Sequence, residues 1–183
     1  AISLLASHNW NAGNRGARAQ ATAAGGGLFS GQGAIPIAVA DTNVSATLGS
    51  GGDVDAGTGA IDVKAELRNR AEADAFALSV GGFAIGGSVA TATANGTVEA
   101  ISHANITGGG SLTIDARGAN AALGYAEASG GGLVAANGHV AITEASPTIR
   151  ARLNGNATVS GVLTVEADSV GRAVSTTESK AGG

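Results

Sequence analysis

Histidines, paired carboxylates and glycine-rich segments are the parts of this 183-residue sequence whose chemistry must be placed first. A neutral imidazole ligates metals and carries protons near neutral pH. His8, His103 and His139 share no spacing and fall at different points of the pattern developed below, so they converge on no tetrahedral site. Surface and turn positions suit them. Asp53 and Asp55, in "GSGGDVDAGTG", place hard oxygen ligands in a glycine-rich turn, which suits Ca2+. They match one fragment of the glycine–aspartate repeats that hold calcium in parallel β-rolls, so they are calcium candidates and no other cofactor is expected. Asp115 and Glu166 stand 51 residues apart and, with Asp62, would stack carboxylates along one outer face. Paired carboxylates can do acid–base work on glycosides. These charges follow a repeat, whereas an active site interrupts one, so they read as a solvated face and no catalytic residue is assigned. "GGGLFSGQG" (Gly25 to Gly33) lacks the Lys-Ser/Thr or helix start that a phosphate cradle needs, and reads as a tight turn.

Two further groups bear on recognition. "SHNWNAGNRG" carries Trp10, the only tryptophan, with Asn14 and Arg15, and Arg18 follows closely. An exposed aromatic among cations and amides can contact sugars or another chain, so Trp10, Asn14, Arg15 and Arg18 form the expected interaction site. Asn-x-Ser/Thr triplets begin at Asn43, Asn95, Asn105 and Asn156. They are glycan acceptors in a eukaryotic secreted protein. Here Asn105 and Asn156 are 51 apart, and the simpler reading is a ladder of stacked asparagines.

The elements that must position these residues are strands. "AISLLA", "AIDVKA", "SLTIDA" and "VLTVEA" begin near residues 1, 60, 111 and 162 and share one alternation. Ile61, Val63 and Ala65 point one way and Asp62 and Lys64 the other, which is the period of a half-buried strand. The steps are 59, 51 and 51, so the first repeat holds an insertion of about eight residues. A second strand in each repeat is built of small residues. Ala71, Ala73 and Ala75 alternate with polar or larger neighbours, Ala122 and Ala126 follow 51 residues later, and Ala17 to Ala23 precede them. The third candidates are "AIPIAVA", "SVATATA" and "HVAITEA"; the fourth are "VSATL", "VEAIS" and "IRARL". Runs such as Gly81-Gly82 and Gly130-Gly131-Gly132 punctuate them. An alanine ladder permits closer approach than the usual spacing of about 10 Å between facing sheets, so we expect a flattened section with one thin end, bent at glycine pairs.

Composition agrees. Glycine is 31 of 183 residues, with no cysteine, no methionine, two prolines and five aromatics. A net charge of −4 with no basic stripe gives nucleic acid nothing to hold. No apolar run reaches membrane-spanning length. The expected class is all-β: a parallel β-solenoid of repeats of about 51 residues, with antiparallel stacked sheets or a sandwich as the alternative. The expected domain is a single repeat region, 1–183, belonging to a longer chain.

"GSLTIDARGANAALGYAEASGGGLVAANGHVAITEA" and "NATVSGVLTVEADS" resemble the Ala/Gly/Thr/Val-rich repeats of giant bacterial surface adhesins, the filamentous-haemagglutinin-like proteins and autotransporter passengers. The resemblance runs over nearly the whole chain and rests on repeat style. It implies a secreted, elongated β-helix at the bacterial cell surface, used in adhesion, biofilm or fibres. Its partners would be neighbouring repeats, copies of itself end to end, or a surface glycan or protein. The competing expectation is a carbohydrate-active β-helix enzyme or a carbohydrate-binding module.

Overall fold

The computed structural model describes residues 1–13 and 16–182. Among them every element is a strand: β1 (Ile2–His8), β2 (Ala17–Ala34), β3 (Ile37–Leu48), β4 (Asp53–Asp55), β5 (Ala60–Ser102), β6 (Asn105–Gly108), β7 (Ser111–Gly131), β8 (Val134–Glu144), β9 (Pro147–Leu153) and β10 (Leu163–Gly182). All strand pairing among the described residues is parallel, which removes the antiparallel alternative. β5 is the centre of an eight-stranded sheet. It pairs with β1, β2 and β3 along one edge and with β7, β8 and β9 along the other, and β10 adds to β7.

The register is the repeat. Ile61 pairs with Leu112, and Leu112 with Leu163, each a step of 51. Steps are longer in the first repeat. Ile2 pairs with Ile61 at 59, but Ala17 pairs with Ala71 at 54, so five inserted residues lie between His8 and Ala17. Parallel pairing resumes beyond the insertion at a step of 54.

Four separate strands per repeat were the expectation from the sequence. In the second repeat they run as one 43-residue strand, β5. Straight, it would extend on the order of 140 Å. Instead Ala71, Ala73 and Ala75 share a buried cluster with Ala90, Ala92 and Ala94, so the strand doubles back on itself. Continuous pairing to the repeats on both edges keeps the chain extended through its bends, and glycine makes the bends. Odd-numbered residues are buried from Ile61 to Ser79 and even-numbered ones from Ala84 to Ser102, and the inversion falls at Gly81 and Gly82. A Cβ at Gly81 would lie 2.0 Å from the carbonyl of its register partner Gly27, and one at Gly132 would lie 1.7 Å from the carbonyl of Gly81. Gly27 and Gly132 also hold φ near +150°, which L side chains rarely adopt (154° and 152°).

The core divides in two. A wide part holds Ile61, Val63, Leu67, Val98, Ile106, Leu112 and Ile114; each such side chain contributes roughly 1.5–3 kcal/mol on burial. The narrow part is mostly alanine, from Ala71 to Ala75 and Ala122 to Ala126 against Ala90 to Ala94. At the boundary sit Asn69 and Asn120, both 3% exposed and paired in register. Asn120 Nδ2 donates to the Ala94 carbonyl at 3.0 Å, and Asn69 Nδ2 donates to the Asn95 carbonyl, each reaching 26 residues along the chain. Asn69 fastens the two layers within one repeat, and Asn120 fastens its repeat to the opposite layer of the preceding one, where the section narrows.

Volume is traded across the layers. Leu67 and Gly118 are register partners, as are Val98 and Ile149. Where leucine gives way to glycine, valine gives way to isoleucine: a Cβ at Gly118 would lie 2.2 Å from Ile149 Cδ1. Likewise Gln32 occupies the space over Gly25 and Thr143 the space over Gly124.

Candidate functional site

The alanines singled out by spacing form the interior. Ala71, Ala73, Ala75, Ala122 and Ala126 are each 0% exposed, and Ala71 pairs with Ala17 on one edge and Ala122 on the other. They shape the section and touch no solvent. Asn105 and Asn156 lie on the surface, where the Ile106 amide donates to the Asn156 carbonyl at 2.8 Å. The Asn105 amide donates to Asp53 Oδ1 at 2.7 Å. Side-chain bonds from repeat to repeat occur at the other two triplets as well: Thr97 N donates to Asn43 Oδ1 at 3.0 Å and Ser146 N to Asn95 Oδ1 at 2.8 Å.

Asp53 and Asp55 lie in β4, paired with β6, and both are exposed. One oxygen of each is taken by a donor from the chain, Asn105 Nδ2 for Asp53 and Gly57 N at 2.7 Å for Asp55. Among the described residues no three His, Cys, Asp or Glu side chains gather at one point. His8, His103 and His139 lie in separate parts of the fold: His8 contacts Asn9, His103 approaches Asn154, and His139 has a covered Nδ1 without a partner.

The expected interaction site is a charged surface. Arg68 Cζ lies 5.8 Å from the Trp10 ring centroid, a cation–π contact. Arg18 Nη2 donates to Asp74 Oδ2 at 2.9 Å and its Nε lies 4.0 Å from Glu72, which Arg70 also holds through Nε at 2.7 Å. Asn14 and Arg15 lie outside the described residues. This cluster continues an outer face on which every outward position of β5 from Asp62 to Asp74 is charged. Next along the stack, Asp115 pairs with Lys64 and Glu166 and is held by Arg117 Nε at 2.9 Å, while Asp62 pairs with Thr113 and so stands apart from that column.

A second polar cluster escaped the spacing argument. Glu127 and Glu178 are direct register partners. Lys180 Nζ lies 3.0 Å from each. Tyr125 Oη lies 2.8 Å from Glu127 and 2.7 Å from Glu178, and its one proton serves one carboxylate at a time. The hydrogen bonds to Glu178 and then Glu127 hold the phenol protonated well above its ordinary range. Lys180, then Tyr125, depresses Glu127; Tyr125, then Lys180, depresses Glu178. The step from 127 to 178 was visible in the sequence. What hid the site was Tyr125, whose register partners are Asp74 and Thr176.

The opposite outer face is apolar from Phe83 to Thr93, and its acids, Asp41, Glu99 and Glu144, lie at or beyond the end of that stretch. After the parity inversion, the outward residues of β2 and β3, of the second half of β5, and of β8 stack as columns. Phe29 pairs with Phe83 and Phe83 with Val134, and the two phenyl rings stack at 5.2 Å. Val89 pairs with Val140, and Thr91 with Ile37 and Ile142. Between them Gly33, Gly87 and Gly138 form one column.

No protein-family model, curated protein or solved structure matches the chain. Among the described residues no helix is long and apolar enough to cross a membrane.

Proposed function

We propose that the chain is a non-enzymatic extracellular β-solenoid, a structural or adhesive part of a giant surface adhesin or fibre. One observation carries this: repeats of about 51 residues stack in parallel register with their cores aligned, from Ile2 through Ile61 and Leu112 to Leu163. Such a stack grows by adding repeats, and among the described residues β10 pairs on one edge only, with β7. A further repeat or another copy would continue the ladder there. The carbohydrate-active reading asks for a cleft that breaks the repeat. On the charged face Asp115 and Glu166, and Glu127 and Glu178, are register partners within the stack, and Lys180 ties the second pair.

The test is electron microscopy of the assembled protein with an image power spectrum. A reflection near 4.8 Å along the long axis is expected, because stacked strands repeat at that spacing. Compact particles with no axial repeat refute the fibre.

A further inference from the structure

We propose that the apolar outer face pairs two copies of the chain side by side, running parallel, each inserting an aliphatic ridge into a glycine groove of the other. Within 28–40, 83–94 and 133–143 no Asp, Glu, Lys or Arg occurs, and Glu144, the exposed register partner of Thr93, stands at the margin. On this face nine phenylalanine, isoleucine and valine side chains remain 48–74% exposed, from Phe29 and Ile35 at one edge to Val140 and Ile142 at the other. Together they expose roughly 900 Å2, above the 300–600 Å2 usual for the largest patch of a monomer. That area fits the share of about 800 Å2 per partner in a stable interface.

The groove has no explanation inside the chain. A Cβ at Gly138 would meet nothing within 4 Å, one at Gly33 only a carbonyl at 3.7 Å, and one at Gly87 only a carbonyl at 3.9 Å. None of the three holds a positive φ. Glycine weakens a strand interior, so three in register mark a surface that something approaches closely. The ridges beside the groove, Ile85 on one side and Val89 with Val140 on the other, are four residues apart along the strand, about 13 Å. That gap admits one column of side chains. The ridge of Val89 and Val140 adjoins the groove. A two-fold axis along the stack, midway between ridge and groove, therefore puts each copy's ridge into the other's groove, the self-complementarity a symmetric pair needs. An anionic membrane would find no cation on this face, and a glycan would find only Thr91, Thr93 and the marginal Glu144 to bond.

The test uses the 183-residue chain in analytical ultracentrifugation. A closed dimer is expected at micromolar concentration. Ile85→Lys should abolish it. Gly87→Val should weaken it at least tenfold despite adding apolar surface, with circular dichroism unchanged, since the new methyls meet open space. Because the chain has no cysteine, Val89→Cys supplies a unique thiol, and a short bismaleimide should link two copies through it and not through Thr113→Cys on the charged face. Tighter association of Gly87→Val overturns the groove. Binding of the monomer to neutral lipid vesicles, lost in Ile85→Lys, assigns the face to lipid and overturns pairing. An open-ended ladder of oligomers insensitive to Ile85→Lys supports end-to-end stacking and overturns lateral pairing, so the two proposals fail separately.

Discussion

Gly118 and Ile149 provide the most direct probe of how the two layers face each other. An alanine at 118 would place its Cβ 2.2 Å from Ile149 Cδ1, where carbon atoms rest at about 3.5–4.0 Å. The remaining neighbours, Ile149 Cγ1 at 3.4 Å and Val98 Cγ2 at 3.7 Å, are in ordinary contact, so the conflict is confined to one methyl. Overpacking of this kind costs about 1–3 kcal/mol. Replacing a glycine without positive φ returns about 0.4–1 kcal/mol through the unfolded chain. Gly118→Ala alone should therefore destabilise by about 1–2 kcal/mol. Ile149→Val, which removes the obstructing methyl, should cost about 0.5–1.5 kcal/mol by itself. The double variant should be no less stable than Ile149→Val, a coupling of about 1 kcal/mol or more in a double-mutant cycle. Urea unfolding followed by circular dichroism gives all four stabilities. If Gly118→Ala is equally harmful in both backgrounds, residues 118 and 149 do not face each other, and the layered account of the core is wrong.

Ala126→Leu should overpack the alanine layer and cost about 1–3 kcal/mol, seen as a lower melting temperature. Asn120→Ala removes the donor to the Ala94 carbonyl from a residue 3% exposed, and a loss of about 1–3 kcal/mol is expected in the same denaturation assay. The lone tyrosine should ionise only above the ordinary phenol range in an absorbance titration, and Glu178→Gln should bring it back toward that range, because the bond to Glu178 is the first cause of the shift. Glu127 and Glu178 are depressed, so their contribution to stability is full above the ordinary carboxylate range and is lost as pH falls through their lowered values. Lys180→Gln should flatten that acid limb in melts recorded against pH.

The register was readable because the repeat preserves parity and step: Ile61, Leu112 and Leu163 align in the sequence as they do in the sheet. The alanine ladder was readable for the same reason. The outer apolar face was not. In "AIPIAVA" the larger side chains Ile35, Ile37 and Val39 face out and Ala34 and Ala38 face in. Both parities are apolar there, and only the narrow gap opposite Ala71 to Ala75 decides which one enters. The Asn69 and Asn120 staples were also hidden, since their acceptors lie 26 residues away, in the opposing layer. Separate strands were expected because glycine ordinarily ends a strand. Pairing to neighbours on both edges carried β5 through its glycines.

The exchange of bulk between facing layers has a genetic consequence. Ile149 fills the space over Gly118, Thr143 that over Gly124, and Gln32 that over Gly25, each pair within a single repeat. A duplication or deletion of one whole unit whose ends fall between units, near residues 60, 111 or 162, moves both members of a pair together. Replication slippage can thus lengthen or shorten the coding sequence in whole units without disturbing these contacts. Recombination that joins half of one unit to the non-equivalent half of another would instead set leucine against isoleucine, or glycine against valine. Length can drift while the interior stays filled.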